Sequence, residues 1–477
     1  MRRKTKIIAT VGPACSSPEM LRKLIRAGVD VFRLNFSHGT HETHRQVATH
    51  IREISKELQT AAGIMQDLQG PKIRTGRTER GKPIELKAGT RLVITTRRHV
   101  IGNKKLISTN YHHLPRDVKR GNRILLSDGL IELRVQRVGN HEVECDVING
   151  GLLGEHKGIN LPGIKVTAPS LSEKDKKDLE FAVQEKLDFI ALSFVRTSRN
   201  VTDLRRQLRR RKADIPIIAK LEKPESIENL NSILSAADGA MVARGDLGVE
   251  ISPEKVPLIQ KQIIYEASRQ GKIAITATQM LESMMINPRP SRAEASDVAN
   301  AIFDGTDAVM LSGETATGNF PVEAVEMMSR IILEAETAPV PSHFFHSQSE
   351  ARRDTFPDAI CEAAYHASKF VRARYIIAFT QTGATANLLA KYRPDSHILV
   401  FTPHAAVVRR LTLTWGVTPM QMREISNVDE LIRGLEAELV KRNLAHKGDR
   451  LAILTGAPII ERGHTSLLKL HEVGGRA

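Results

Sequence analysis

Two stretches decide the reading of this chain: Ile217-Ile218-Ala219-Lys220-Leu221-Glu222 and Met241-Val242-Ala243-Arg244-Gly245-Asp246. Each starts as an apolar run of the kind that forms a strand buried on both faces, and each delivers charge as it ends. Lys220 and Glu222 are two residues apart, so on a strand they point to the same face. With the two runs as neighbouring strands, Glu222 and Asp246 share one divalent cation and the Lys220 ammonium stands beside it. Such carboxylates hold Mg²⁺ incompletely and leave positions for water and for phosphate oxygens. This is the chemistry of a site rather than of a core.

Outward from these runs, strand-like and helix-like segments alternate regularly. Strands are expected at 6–12, 29–37, 63–68, 188–195, 216–222, 239–246, 272–278 and 308–315, with amphipathic stretches between and after them. Eight such units predict a (β/α)₈ TIM barrel, with an open doubly wound sheet as the alternative. Between 71 and 169 the period shortens to β-type runs separated by Gly, Asn and Asp turns. A small all-β domain, a β-barrel lid over 71–169, is therefore expected as an insertion after the third strand, leaving 1–70 and 170–338 to the catalytic barrel. After Ala338-Pro339-Val340-Pro341, strands at 375–380, 397–402, 450–455 and 467–473 alternate with helical stretches, which predicts a C-terminal α/β regulatory domain over 339–477.

The bulk numbers narrow the function classes. A chain of 477 residues with 41% hydrophobic content supports several cores, and it shows neither an apolar run of membrane-spanning length nor the core of a signal peptide. Cys15, Cys145 and Cys361 are far apart and lack metal-ligand spacing, so a cytoplasmic protein is expected. The formal charge of +16 and the run from Arg205 to Lys212 raise nucleic-acid binding. Only 4% of residues are aromatic, however, and the run fits the solvated face of a helix through Val201, Leu204 and Leu208. Neither nucleic acid nor membrane is expected as a partner; positive charge also suits an enzyme that gathers phosphorylated anions.

In a barrel, chemistry sits where strands end. The second strand ends in Arg33-Leu34-Asn35-Phe36-Ser37-His38-Gly39, where Arg33, Asn35 and Ser37 alternate onto one face. The third ends in Gln66-Asp67-Leu68-Gln69-Gly70-Pro71-Lys72-Ile73-Arg74, the seventh in Thr276-Ala277-Thr278-Gln279, and the eighth in Ser312-Gly313-Glu314-Thr315. Arginines, a lysine and a carboxylate-bound metal suit phosphoryl transfer, where positioning and charge neutralisation supply most of the catalysis.

Through these blocks the chain resembles the pyruvate kinase family from end to end. The segment 215–227 is similar to that family's signature around its catalytic lysine, and 33–39, 70–76, 243–248, 277–283 and 310–315 match further blocks in the family's order. The resemblance implies conversion of phosphoenolpyruvate and ADP to pyruvate and ATP by a homotetramer. It implies Glu222 and Asp246 as ligands of Mg²⁺ or Mn²⁺, Lys220 and Arg33 on the transferring phosphate, the backbone at Arg244 and Gly245, with Asp246, on the substrate, and Thr278 near the enolate. Asn35, Phe36, Ser37, His38, Arg74 and Lys174 would meet the nucleotide. Plainer readings stand beside these: Thr278 as a turn cap, His38 as a structural hydrogen-bond partner, Lys174 as a first-turn helix residue.

The chain departs from the family at its potassium site. Asn35, Ser37 and Asp67 are present, but Leu68 stands where the family has Thr and Lys72 where it has Glu. The Lys72 ammonium is itself a monovalent cation, so it is expected to substitute for K⁺, as in a potassium-independent subgroup; its plainer reading is a solvent-facing hinge residue. In the C-terminal domain, Thr380-Gln381-Thr382-Gly383-Ala384-Thr385 follows a strand and opens a helix. Thr380, Thr382, Gly383 and Thr385 resemble the family's effector loop, and a sugar-phosphate or nucleotide effector is expected there; an ordinary capped helix start is the alternative. The rival enzyme reading is a Mg²⁺-dependent aldolase or mutase that uses phosphoenolpyruvate or pyruvate. The rival outside enzymes is a nucleic-acid-binding protein on an inactive barrel.

Overall fold

A computed structural model describes residues 3–167, 169–338, 355–425, 427–456 and 465–475. Eight parallel strands close into a barrel: β1 (Lys6–Val11), β2 (Val31–Asn35), β3 (Gly63–Asp67), β4 (Phe189–Leu192), β5 (Ile217–Leu221), β6 (Gly239–Ala243), β7 (Ile273–Ala277) and β8 (Ala308–Leu311). All eight expected strands are present, and β1 pairs with both β2 and β8, so the sheet has no edge. Side chains pointing inward, among them Ile8, Met65, Phe189, Ile218, Met241 and Met310, fill the barrel as a packed core. The outward set packs against the helices, whose starts follow local capping chemistry. Ser172, Thr40 and Ser291 each accept a hydrogen bond from the third helical residue in a capping box.

One correction concerns the strand ends. The runs expected to extend to Asp246 and Thr315 stop at Ala243 and Leu311, and the chain turns at once into the short helices Arg244–Glu250 and Gly313–Ala316. Asp246 therefore comes from a helical first turn rather than from a strand. Gly245 and Gly313 lie in those turns, where the buried apolar run has ended and the chain reverses over the barrel rim.

The segment inserted after β3 folds as a six-stranded sheet plus a two-stranded ribbon around its own core, with most pairs antiparallel. Its hydrogen-bonded ladders do not form a closed ring, so the expected β-barrel is an open wrap. The C-terminal sheet runs in the order β11 (Val417–Gln421), β10 (His397–Thr402), β9 (Tyr375–Phe379), β12 (Arg450–Thr455), β13 (Leu467–Glu472), with a hydrophobic cluster on each face. The stretch after Ala338 taken as a domain boundary lies largely outside the described residues. No helix among the described residues is long and apolar enough to cross a membrane.

The C-terminal domain docks on the floor of the barrel, the end away from the site. Leu413 belongs to the barrel-interior cluster, and Gly63 leaves room for it: a Cβ there would stand 2.8 Å from Thr412 Oγ1. The floor itself carries a repeat. Asp30, Asp188, Asp238 and Asp307 each precede an even-numbered strand. Each accepts a hydrogen bond from the amide near the start of the preceding odd-numbered strand, Ile7, Ile64, Ile217 and Ala274. Each also meets arginine: Arg3, Arg52 with Arg409, Arg205, and Arg393. Arg409 and Arg393 come from the C-terminal domain, so two of the four carboxylates tie that domain to the barrel.

Candidate active site

The end of β5 is a hub of charge. Lys220 Nζ lies 2.9 Å from Glu222 Oε1, 2.8 Å from Ser193 Oγ and 3.2 Å from Asp67 Oδ1. Asp67, which ends β3, takes Arg33 Nε and Nη2 on its other oxygen at 2.7 and 2.6 Å, and Arg33 also donates to Thr10 Oγ1. The result is an alternating row, Arg33, Asp67, Lys220, Glu222, almost wholly out of water. Burial pushes the pKa of the Lys220 ammonium down, but Asp67 and Glu222 outweigh it and raise that pKa above the ordinary lysine value. Asp67 is likewise opposed by burial, yet Lys220 and Arg33 hold it below the usual carboxylate range.

Glu222 is the exception in this row. Burial pushes its carboxyl up and the Asp246 charge adds to this, against Lys220 and the Phe194 amide. Its Oε2 accepts from Phe194 N at 2.8 Å, whereas Oε1 is buried and receives no aligned hydrogen bond although Lys220 is close. A buried oxygen with an open lone pair, next to a second carboxylate, fits a hard divalent cation. Among the described residues no group of three or more His, Cys, Asp or Glu could hold a metal, so substrate and water would complete its coordination. Asp246 Oδ1 faces Lys72 Nζ at 3.6 Å. Lys72 thus reaches the carboxylate at the barrel rim.

Three of the groups assigned to a monovalent-ion slot already have partners. Asn35 Oδ1 accepts from Ser37 N, Asp67 is held by Arg33 and Lys220, and the Leu68 carbonyl accepts from Ser193 Oγ at 2.7 Å. Across the cleft, Thr278 has φ of 70°, uncommon for a β-branched residue. Its hydroxyl accepts from Gly245 N at 2.8 Å and donates to Ala277 O, while Arg244 donates to its carbonyl at 2.8 Å. The Arg244 guanidinium is further tied to Asp297 at 2.7 Å, so it buttresses the loop and leaves the main chain of Arg244-Gly245 as the part offered to a ligand. Strain of this kind, of order 1–3 kcal/mol, persists only where the surroundings over-determine it, and it gathers at functional sites.

A cavity of about 760 Å³ opens between the barrel rim and the inserted domain, bounded by Lys72, Arg244, Gly245 and Asp246 on one side and by Arg123 and Asp128 on the other. That is room for a nucleotide and a small acid. Of the residues expected at the nucleotide, His38 is exposed, whereas the Phe36 ring is buried and stacked on His44. Lys174 donates to the Phe36 carbonyl and pairs with the buried Asp178, so its first-turn position also serves the fold. Arg74 lies within the inserted domain, where its guanidinium donates to the His156 carbonyl at 2.9 Å. In the C-terminal domain, Thr380 Oγ1 caps Gly383 N, Gly383 has φ of 90°, Thr382 is exposed, and the Thr385 hydroxyl is buried against Thr465 at 2.6 Å.

Two residues went unread in the sequence. Ser193 touches Lys220, Asp67 and Leu68 together, and Thr10 steadies Arg33. Both are polar residues at the ends of barrel strands, the same signal that marks Arg33 and Asp67.

Comparison with known proteins adds a second line. A family model described as "Pyruvate kinase, barrel domain" matches residues 2–325, and "Pyruvate kinase, alpha/beta domain" matches residues 358–471. Curated proteins named pyruvate kinase from Staphylococcus aureus strains MRSA252 and USA300 are each 45% identical over 474 residues, 99% of this chain and 81% of theirs. A crystal structure of a pyruvate kinase from Cryptosporidium parvum superposes with a TM-score of 0.93 at 42% identity, covering 99% of this chain and 96% of that one.

Proposed function

The chain belongs to the pyruvate kinase family, and on that premise we propose how its residues divide the transfer of the phosphoryl group from phosphoenolpyruvate to ADP, which yields pyruvate and ATP. The observation that carries the assignment is the row Arg33, Asp67, Lys220, Glu222, in which the buried Glu222 Oε1 has the Lys220 ammonium at 2.9 Å but no aligned hydrogen bond. Glu222 and Asp246 would hold Mg²⁺ or Mn²⁺, which when bound would supply positive charge to offset that of the anionic substrate. Lys220, kept protonated by its two carboxylate neighbours, presents a fixed ammonium to the phosphoryl group in flight, and Arg33 grips the same phosphate. Preorganised charge of this kind needs no reorganisation as the bond breaks. The main chain at Arg244-Gly245, with Asp246, receives the substrate's carboxylate. Thr278, pinned in its strained turn, helps pass a proton through water to the enolate carbon.

Asn35, Ser37 and His38, the main chain of Phe36, and Arg74 and Lys174 meet the nucleotide, with Arg74 brought in by the inserted domain acting as a lid over residues 71–169. Lys72 supplies in covalent form the charge that a monovalent ion brings elsewhere in the family, so K⁺ is not required. The loop with Thr380, Thr382, Gly383 and Thr385 binds a phosphorylated sugar or nucleotide effector, making 339–477 the regulatory domain of a cytoplasmic enzyme. The enzyme assembles as a homotetramer, and the exposed apolar side chains Leu258, Ile286, Phe356 and Phe370 are candidates for contacts between copies. Steady-state ATP formation from phosphoenolpyruvate and ADP, with Mg²⁺ and with K⁺ present or withheld, tests the assignment. Absence of ATP formation under all these conditions overturns it.

A further inference from the structure

A buried carboxylate beyond the reacting groups joins three parts of the molecule. Glu250 ends the helix Arg244–Glu250, whose first turn carries Asp246, and it is 4% exposed. Its Oε1 accepts from Lys223 Nζ at 2.6 Å and from Asn160 Nδ2 at 2.8 Å. Lys223 directly follows Glu222. Asn160 belongs to the inserted domain, where it pairs with Leu125 next to the hairpin Ser127-Asp128-Gly129. The hairpin meets the same helix: a Cβ on Gly129 would stand 3.5 Å from Val249 Cγ1. The seven-residue helix is thus held by the barrel on one side and by the inserted domain on the other. Glu250 is the point at which the Glu222 loop, the Asp246 helix and that domain share one acceptor atom.

We propose that Glu250 is a positioning residue, which clasps Asn160 and Lys223 so that the inserted domain and the two metal-binding carboxylates move as one unit. The proposal rests on the reading of Glu222 and Asp246 as the metal ligands. Its physical content is that a charge-assisted acceptor with two donors from different segments fixes their relative placement, which neither donor could do alone. A cation shared by two carboxylates is bound only as well as their separation is fixed, so loosening the inserted domain at Asn160 weakens metal binding although Asn160 touches no metal ligand.

The test compares native protein with Asn160→Ala, Glu250→Gln and the double variant, without substrate or nucleotide. Mn²⁺ affinity is read by electron paramagnetic resonance, and hydrogen exchange of the amides in Arg244–Glu250 is read with no metal present. Each single change should weaken Mn²⁺ binding at least threefold and raise exchange in that helix at least threefold, and the double variant should bind no more weakly than the worse single one. An Asn160→Ala protein with native exchange and native Mn²⁺ affinity overturns the proposal. So does faster exchange with unchanged affinity, and so does a double variant whose loss is the product of the two singles. Glu222→Gln serves as the control: unaltered Mn²⁺ affinity there overturns the metal assignment itself, while the exchange measurement still decides whether Asn160 and Glu250 form a clasp.

Discussion

At the scale of single residues, Lys220 matters because its charge is fixed before substrate arrives. Asp67 and Glu222 hold the ammonium in place and keep it protonated. Lys220→Met should therefore lower the rate of ATP formation by about a hundred- to a thousand-fold, while exchange of the methyl protons of pyruvate, which involves no moving phosphoryl group, survives better. Near-native ATP formation by that variant removes Lys220 from the mechanism. Asp67 allows a prediction with a definite sign. Its folded pKa lies below the ordinary 3.8, so the stability it adds is complete above that value and is lost as the pH falls through the folded value. The advantage of the native protein over Asp67→Asn in thermal unfolding should be constant near neutrality and shrink in acid below about pH 4; an advantage that grows in acid contradicts the assignment. Lys72 carries the third prediction. Its ammonium sits 3.6 Å from Asp246, and Asn35, Asp67 and Leu68 already have protein partners. The native enzyme should work in buffer free of K⁺ and Na⁺, and Lys72→Glu with Leu68→Thr should create a K⁺ requirement. Inactivity that K⁺ rescues in the native enzyme rules out Lys72 as the substitute.

At the scale of elements, the four aspartates of the barrel floor are unequally buried. Asp188 is 2% exposed and holds Arg52, Arg409 and the Ile64 amide. Asp238 makes the same kind of contacts with Arg205 and Ile217 but has a side chain 40% exposed. Removing one member of a buried ion-pair set leaves uncompensated charge and costs about 3–5 kcal/mol, whereas exposed pairs contribute roughly 0–1 kcal/mol. Asp188→Ala should therefore lower the denaturation midpoint far more than Asp238→Ala in guanidinium unfolding, and equal losses would refute the inequality. Most of these elements could be read from the sequence, because a closed parallel barrel demands apolar strands and capped helices that announce themselves. Thr40, Ser172 and Ser291 stand as capping residues at helix starts, and amphipathic stretches follow the strands as the alternation predicts. What escaped has physical reasons. The strand Val417–Gln421 contains Pro419, tolerated only because it forms the sheet edge, and Ile159–Asn160 is too short for any period to show. The aspartate repeat was missed because one acidic residue ahead of an apolar run looks like any loop residue until the neighbouring strand is known. The site was legible through charges at strand ends, but that Asp246 arrives on a helix, and that Glu222 Oε1 is buried without an aligned hydrogen bond, are properties of the turn and the packing.

At the scale of the whole molecule, the loop 380–385, proposed above to bind an effector, and the barrel are joined by short packed steps. Gly383 stands against Leu411, where a Cβ would meet Leu411 Cδ2 at 3.1 Å, and Leu411 begins the turn Leu411–Leu413 whose last side chain sits in the barrel core. The only tryptophan of the chain, Trp415, lies two residues further on, with the Arg393 guanidinium 4.6 Å and the Lys4 ammonium 5.2 Å from its ring. Arg393 is also the partner of Asp307 on the barrel floor. A ligand that favours one placement of the effector loop can shift the barrel only if it binds two arrangements of this junction unequally. Trp415 reports on that junction because moving a cation relative to its ring changes its emission. A phosphorylated sugar or nucleotide that alters activity should therefore change Trp415 fluorescence in the native enzyme. Thr382→Val, at the exposed position of the loop, should abolish both responses and leave basal activity intact. Leu413→Ala should retain the binding but weaken its effect on activity, since the step into the barrel core is lost. An effector that changes activity with no change at Trp415, or whose action survives Thr382→Val, acts through some other part of the molecule.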